Sequence, residues 1–228
     1  DVYMLASPWT GSFYFAFSTG SASIPLPTEG LGLALGGHLN DNLYLIGGFA
    51  DLNADPTDPL EGFDTFFSDH EFFKHIEIGW NSTRETAFLN NVHLTLWHVD
   101  EMTEAGNPDG WGANVSWSRQ FTDAWMGFLR AGYADDGGSL LETSVSAGGA
   151  WQTVPGGNQL GIAFNWGEPN ATTWGPGLPS QKTLELFYRI QLFKEIALTP
   201  DVQYIRDPAL NPEADDLWVF GLRARLAF

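Results

Sequence analysis

Apolar side chains recur at every second position through most of this chain, in short runs broken by polar and glycine-rich stretches. Successive side chains of a strand point to opposite faces, so each run predicts a strand with one apolar and one wetter face. Phe13, Phe15 and Phe17 make the first run, and Leu31, Leu33 and Leu35, set against Gly32 and Ala34, the second. Residues 42–51 are apolar on both faces, and the pattern does not say which side turns inward. Phe72, Ile76, Ile78 and Trp80 oppose Phe73, His75 and Glu77, and Val92, Leu94 and Leu96 oppose His93, Thr95 and Trp97. Trp111, Ala113, Val115 and Trp117 oppose Asn114, Ser116 and Ser118, and Trp125, Leu129 and Tyr133 oppose Met126, Phe128 and Arg130. Leu141, Val145, Ala147 and Trp151 oppose Glu142, Ser144, Ser146 and Gln152, and Leu160, Ile162, Phe164 and Trp166 oppose Gln159, Gly161 and Asn165. Leu184, Leu186, Tyr188, Ile190 and Leu192 oppose Glu185, Arg189 and Gln191, and Ile196, Leu198, Val202 and Tyr204 oppose Thr199, Asp201 and Gln203. The last run carries Trp218, Phe220, Leu222, Ala224, Leu226 and Phe228 on one face and Gly221, Arg223 and Arg225 on the other. Roughly twelve strands follow from the alternation.

The breaks between runs alternate in length. Residues 19–28, 52–70, 100–110, 168–180 and 206–214 are long, whereas 38–42, 81–85, the turn at Thr122, 153–157 with Pro155-Gly156-Gly157, and Lys194-Glu195 are tight. Residues 134–139 are of middle length. Up-and-down strands with short turns on one side and long loops on the other describe a transmembrane barrel. A soluble sandwich with Greek-key crossovers has no reason to alternate its loops. An even strand number sets both chain ends at the short-turn side. Trp80, Trp111, Trp125, Tyr133, Trp151, Trp166, Tyr188, Tyr204, Trp218 and Phe228 stand near strand ends, where half-apolar, half-wet rings suit a membrane interface. A soluble all-β protein could bury such rings in a core, but twelve one-sided strands would then need a very large second layer. The expected fold is therefore all-β, a single antiparallel transmembrane β-barrel domain of the outer-membrane type over residues 1–228.

Composition narrows the function. With 28 acidic against 10 basic residues the chain has a formal charge of −18, which disfavours nucleic-acid partners. Ten Trp and 17 Phe argue against disorder. The lack of cysteine excludes disulfides and thiolate metal sites. No run reaches the roughly 18–20 apolar residues of a spanning helix, which leaves spanning strands open. No basic-then-apolar signal segment is visible at the start, so it has been removed or the chain begins partway through a longer protein.

The stretch Glu185-Leu186-Phe187-Tyr188-Arg189-Ile190-Gln191, then Leu198-Thr199-Pro200-Asp201-Val202-Gln203-Tyr204-Ile205, then Pro208, Asn211-Pro212, Asp215-Asp216 and Gly221-Leu222-Arg223 up to the terminal Phe228, resembles the C-terminal signature of the carbohydrate-selective porin (OprB) family. Trp97-His98-Val99-Asp100 and residues 47–53 resemble earlier parts of that family. The resemblance implies a bacterial outer-membrane porin that passes sugars and other small solutes and is not an enzyme. Its expected surroundings are outer-membrane lipid and lipopolysaccharide, the barrel assembly machinery and, in many porins, two further copies in a trimer. It also implies a barrel of about sixteen strands, of which this chain is the expected C-terminal part.

The chemistry expected of such a chain lies on the wet faces. Glu77, His93, Trp97, Arg130, Glu142, Glu185, Arg189, Asp201, Gln203, Arg223 and Arg225 all fall there. Sugars are uncharged and rich in hydroxyls, so carboxylate, guanidinium and amide groups hydrogen-bond them and aromatic faces stack on them; Trp97 is the stacking candidate. Charges of both signs on facing walls would also set a transverse field across a constriction. Some of these residues can instead pair across adjacent strands and stiffen the wall. Asp51-Leu52-Asn53-Ala54-Asp55 begins like a calcium loop, but Pro56 stands where the turn glycine belongs and Gly62 where the closing Glu belongs. A solvated acidic loop is the simpler reading, with Asp55, Asp58, Glu61 and Asp64 able to meet a divalent cation only weakly. Of the five histidines, His93 and His98 fall on opposite strand faces and cannot share a metal. No P-loop, Gly-x-Ser-x-Gly elbow or His-Glu-x-x-His motif is present, and no cofactor is expected. The leading expectation is a passive, sugar-preferring diffusion porin; the alternatives are a non-conducting structural barrel fragment and an outer-membrane hydrolase.

Overall fold

The computed structural model describes residues 23–227 except 28–29, 56, 59, 104 and 154–155. Among these residues eleven strands form one sheet in strictly sequential order, every neighbouring pair antiparallel. They are β1 (Gly32–His38), β2 (Leu43–Asp51), β3 (Phe72–Asn81), β4 (Asn91–Val99), β5 (Gly110–Thr122), β6 (Trp125–Asp136), β7 (Leu141–Gln152), β8 (Gln159–Pro169), β9 (Gln181–Gln191), β10 (Ile196–Arg206) and β11 (Asp216–Leu226). Two short helices sit in the connections, α1 (Glu61–Ser68) after β2 and α2 (Ala171–Trp174) after β8. Among the described residues, β1 and β11 are each paired on one side only. The run at Phe13, Phe15 and Phe17 and the end at Phe228 lie outside the described residues.

The burial of this sheet is inverted relative to a water-soluble core. Ile76, Leu94, Leu129, Phe164 and Phe220 are exposed, while Glu77, Thr95, Thr183 and Glu185 are fully covered. In β3, β4 and β8 exposure alternates residue by residue, with mostly polar or small residues inside and Phe73, Trp97 and Val99 clustered toward the long-loop end. A continuous apolar wall this large would drive aggregation in water, whereas lipid tails solvate it. The ladder satisfies the backbone of each interior strand through its neighbours, as hydrocarbon demands. The chain is thus a wall of an outer-membrane β-barrel, the fold class the alternation predicts.

The long and tight connections fall on opposite ends of the strands, with some differences from expectation. The turn after β3 runs over 82–90 rather than 81–85, the turn after β5 is Asp123-Ala124, and the return after β9 takes 192–195. Residues 137–140, on the long-loop side, are as short as the tight turns. Asp136, Gly137 and Gly138 all have positive φ there, and this left-handed run reverses the chain at once. The expected face of Leu141 is wrong. A register shift between Leu141 and Thr143 adds one residue to β7, so Leu141 turns inward and is fully buried while Glu142 is half-covered. Leu141 fills the space above Gly167, where an added Cβ would stand 2.4 Å from it. The doubtful strand β2 turns Tyr44 inward and Leu45 outward.

Three inward aromatics lie flat against a glycine directly across the ladder. They are Tyr44 on Gly79, Trp97 on Gly112 and Phe187 on Gly161, each a registered pair. A Cβ on those glycines would come within 2.1, 2.3 and 2.0 Å of the ring. Only glycine lets a large ring lie along the wall instead of standing away from it.

Candidate functional site

Of the eleven candidates, ten fall on the inward face, in two groups, while Glu142 sits at the register shift of β7 and is only half-covered. Glu77, His93, Trp97 and Arg130 belong to β3, β4 and β6; Glu185, Arg189, Asp201, Gln203, Arg223 and Arg225 belong to β9, β10 and β11. Between them β7 and β8 present Ser144, Ser146, Gly148, Ala150, Gly161, Ala163 and Asn165, which are small or neutral.

In the first group the side chains engage one another. Both oxygens of the buried Glu77 carboxylate are used: Tyr44 Oη donates to Oε1 at 2.8 Å and Thr95 Oγ1 to Oε2 at 2.6 Å. His93 sits in the next inward row, opposite Gly79 and Ser116. Arg130, opposite Ser116, donates through Nε to its hydroxyl at 3.2 Å, and its guanidinium lies 5.0 Å over the Phe128 ring. A cation held over a ring face gains electrostatic attraction in addition to its hydrogen bond.

Trp97 is placed differently from a free stacking platform. It is only 3% exposed and packs in an apolar cluster with Ile24, Leu52, Phe73, Val99 and Ala134. Phe73 stacks on it at 6.5 Å, and its indole N–H donates to Asn114 Oδ1 at 3.0 Å. Asn114 Nδ2 in turn donates to Ser23 Oγ at 2.7 Å, so the segment at Ser23 and Ile24 lies inside the wall near the long-loop end. The alternation places Trp97 on the inward side; what covers its ring there comes from residues far away in sequence.

The second group is looser. Arg189 Nη2 donates to Gln191 Oε1 at 2.6 Å, and Gln203 Nε2 to Asp201 Oδ1 at 2.8 Å. Arg189 Nε and Asp201 Oδ2 are buried with no partner, as is Oε1 of Gln159, which is registered directly against Arg189. Asn165 bridges Ser144 and Ser146 through Nδ2 at 3.0 and 2.9 Å, leaving its Oδ1 open. Gln159, Asn165 and Tyr44 belong with the candidate lining although no charge marks them in the sequence; for Gln159 and Asn165 their place on the wet face of an alternating strand is the signal.

Three carboxylates of the acidic loop bond groups of the loop itself. Asp51 is buried and accepts from Thr65 Oγ1 and from the Asn53 N–H, while Asp55 and Asp58 accept from the N–H groups of Thr57 and Leu60 and shape the turns before α1. Among the described residues no group of three or more His, Asp or Glu is arranged to hold a metal ion. His93 is inside and His98 outside, as the strand period requires.

A sequential antiparallel wall with an apolar outside and a polar inside defines an outer-membrane porin-type barrel. Residues 103–228, more than half of the chain, match the family described as carbohydrate-selective porin, OprB family, and the chain belongs to that family. The fold is similar to that of Pseudomonas putida OprB, with a TM-score of 0.65 at 14% identity over 86% of this chain and 58% of that one. A 58-residue stretch, 25% of the chain, is 40% identical to the Acinetobacter baylyi protein described as "Putative porin QuiX", of which it covers 13%. The chain therefore spans less than two thirds of either relative.

Proposed function

We propose that this chain forms part of the wall of an outer-membrane porin through which small, hydroxyl-rich solutes, sugars foremost, diffuse passively. The observation that carries this reading is the polar inward face set behind an apolar outside, with Gln159, Asn165, Arg189 and Asp201 in one sector of it. Their amide, guanidinium and carboxylate groups supply both donors and acceptors, which suits a neutral solute that offers both. Arg223 and Arg225 on β11 extend the sector, and Glu185 and Gln203 lie within it. Glu77, His93 and Arg130 line the facing sector as part of a fixed wall. Trp97 supports that wall from behind its ring rather than offering the ring to a sugar.

Family membership supports the carbohydrate preference, and the apolar outside supports residence in the bacterial outer membrane among lipid and lipopolysaccharide. Insertion by the barrel assembly machinery and association as a trimer follow the same reading. It is tested with the full-length porin in planar bilayers. Ohmic conductance that oligosaccharides interrupt in a length-dependent way is expected. Conductance indifferent to sugars would refute the preference, and no conductance at all would favour a non-conducting barrel.

A further inference from the structure

We propose that α1 is a membrane-surface helix, whose phenylalanines enter the boundary between headgroups and acyl chains on the long-loop side. The proposal rests on the reading of the sheet as a membrane wall. Four apolar residues, Leu60, Phe63, Phe66 and Phe67, recur at the spacing of one helical face. Phe66 packs on the outward, lipid-side rings of the wall, 5.8 Å from Phe49 of β2 and 5.2 Å from Phe72 of β3. Phe67 meets Phe66 edge-on at 5.0 Å. The helix is held to the outer rim by its other side. Thr65 donates to Asp51, an outward position of β2 that the helix covers completely, and Gly62 is buried against Gly30, Leu31 and Ala54.

What remains uncovered is the apolar face: Leu60 is 73% exposed, Phe63 55% and Phe67 67%. That face continues the apolar outside of the barrel without a break through Phe49, Phe66 and Phe72. It stands at the end of the strands where Trp111, Tyr133, Tyr204 and Trp218 also face outward. Continuity with the lipid-facing wall names lipid as the occupant. Rings of this kind partition to the interface, and a short helix lying in that plane gains from each ring it buries. The acidic side chains of the first turn, Glu61 and Asp64, are exposed and remain in water.

This chain has no cysteine, so in the full-length porin with any cysteine elsewhere replaced, single nitroxide labels can be placed cleanly in phosphatidylcholine vesicles. Labels at Phe63→Cys and Phe67→Cys are compared with Ile76→Cys on the mid-wall and Leu210→Cys in the exposed loop after β10. Collision with oxygen and with a water-soluble nickel chelate reports depth. Oxygen is expected to dominate at positions 63 and 67, as at 76, and the chelate at 210. Chelate access at 63 and 67 equal to that at 210 would overturn the proposal, as would shielding from both reagents, which would mean that a second copy covers the helix. An aqueous signal at 76 would instead overturn the membrane reading itself.

Discussion

The two inward sectors of the wall use similar side chains to opposite ends. Around β3–β5, Glu77 is held by Tyr44 and Thr95, and Trp97 is held by Phe73, Asn114 and, through Asn114, Ser23. Across β8–β10, Gln159, Arg189 and Asp201 keep buried atoms without partners, as Asn81 does at the end of β3. A carboxylate with both oxygens engaged is a structural element, because its hydrogen bonds are already made and water has been excluded. A carboxylate with one unpartnered oxygen, such as Asp201, is less firmly fixed, and only a shift of the side chain would bring that oxygen to water or a hydroxyl. Polarity on the inside of a barrel therefore does not by itself identify solute contacts.

The contrast is broken most severely at Trp97. Replacing Trp97 by Ala is expected to destabilise the barrel by about 3–5 kcal/mol, through the cavity left in its cluster, while leaving oligosaccharide block unchanged; denaturant unfolding and bilayer recording measure the two. A loss of block at unchanged stability would move Trp97 into the solute path. Glu77→Ala strands two buried hydroxyls and should cost about 1–3 kcal/mol for each, and adding Tyr44→Phe and Thr95→Val should recover much of it. Recovery that failed to appear in the triple variant would mean that Glu77 acts through other partners. The second sector should behave in reverse. Asp201→Ala and Gln159→Ala are expected to stay within about 1 kcal/mol of the parent in stability but to weaken sugar block several-fold. Equal block in the parent and both variants would remove this sector from the pathway.

The smallest effect is expected outside the membrane. Glu71, just before β3, accepts from Asn53 at 2.9 Å and from the Thr103 hydroxyl at 2.8 Å, tying two external loops together. The Asn53 hydrogen bond, aided by Thr103, holds its carboxyl below the ordinary value of 4.5. A carboxyl depressed on folding contributes stability above its unfolded pKa and loses it as pH falls through the folded one. Protease sensitivity of the loop between β2 and β3 should therefore rise slightly as pH drops below about 4.5, and Glu71→Gln should flatten that dependence.

Much of this architecture is legible in period-2 alternation, because lipid outside and water inside impose opposite chemistry on adjacent residues. Strands β3–β6 and β8–β11 present the faces that Ile76, Leu94 or Leu186 predict. The pattern fails where another constraint acts. Strand β2 is apolar on both sides because its inward face carries Tyr44, which covers Gly79, together with Ile46 and Ala50. Leu141 lies inside because an extra residue in β7 resets the period, which leaves no mark in hydrophobicity. Helix α1 is hidden in a loop read as acidic, since its Phe63, Phe66 and Phe67 are spaced by three and four rather than two. Of the candidate site, the inward placement is readable, but the hydrogen-bond partners of each side chain are not. They depend on contacts such as Asn114 with Ser23, far apart in the chain.

The flat pairing of rings with glycines bears on how such a wall is assembled correctly. A slip of one residue between strands exchanges inside for outside and is rejected by hydrophobicity alone. A slip of two keeps every face correct, and alternation cannot detect it. The ring pairs can. After such a slip Tyr44 would land against Glu77 or Asn81, and Phe187 against Gln159 or Ala163, where a side chain occupies the seat of the ring. Tyr44 on Gly79 and Phe187 on Gly161 thus act as alignment marks, and they proofread a register that the repetitive pattern of the strands leaves ambiguous.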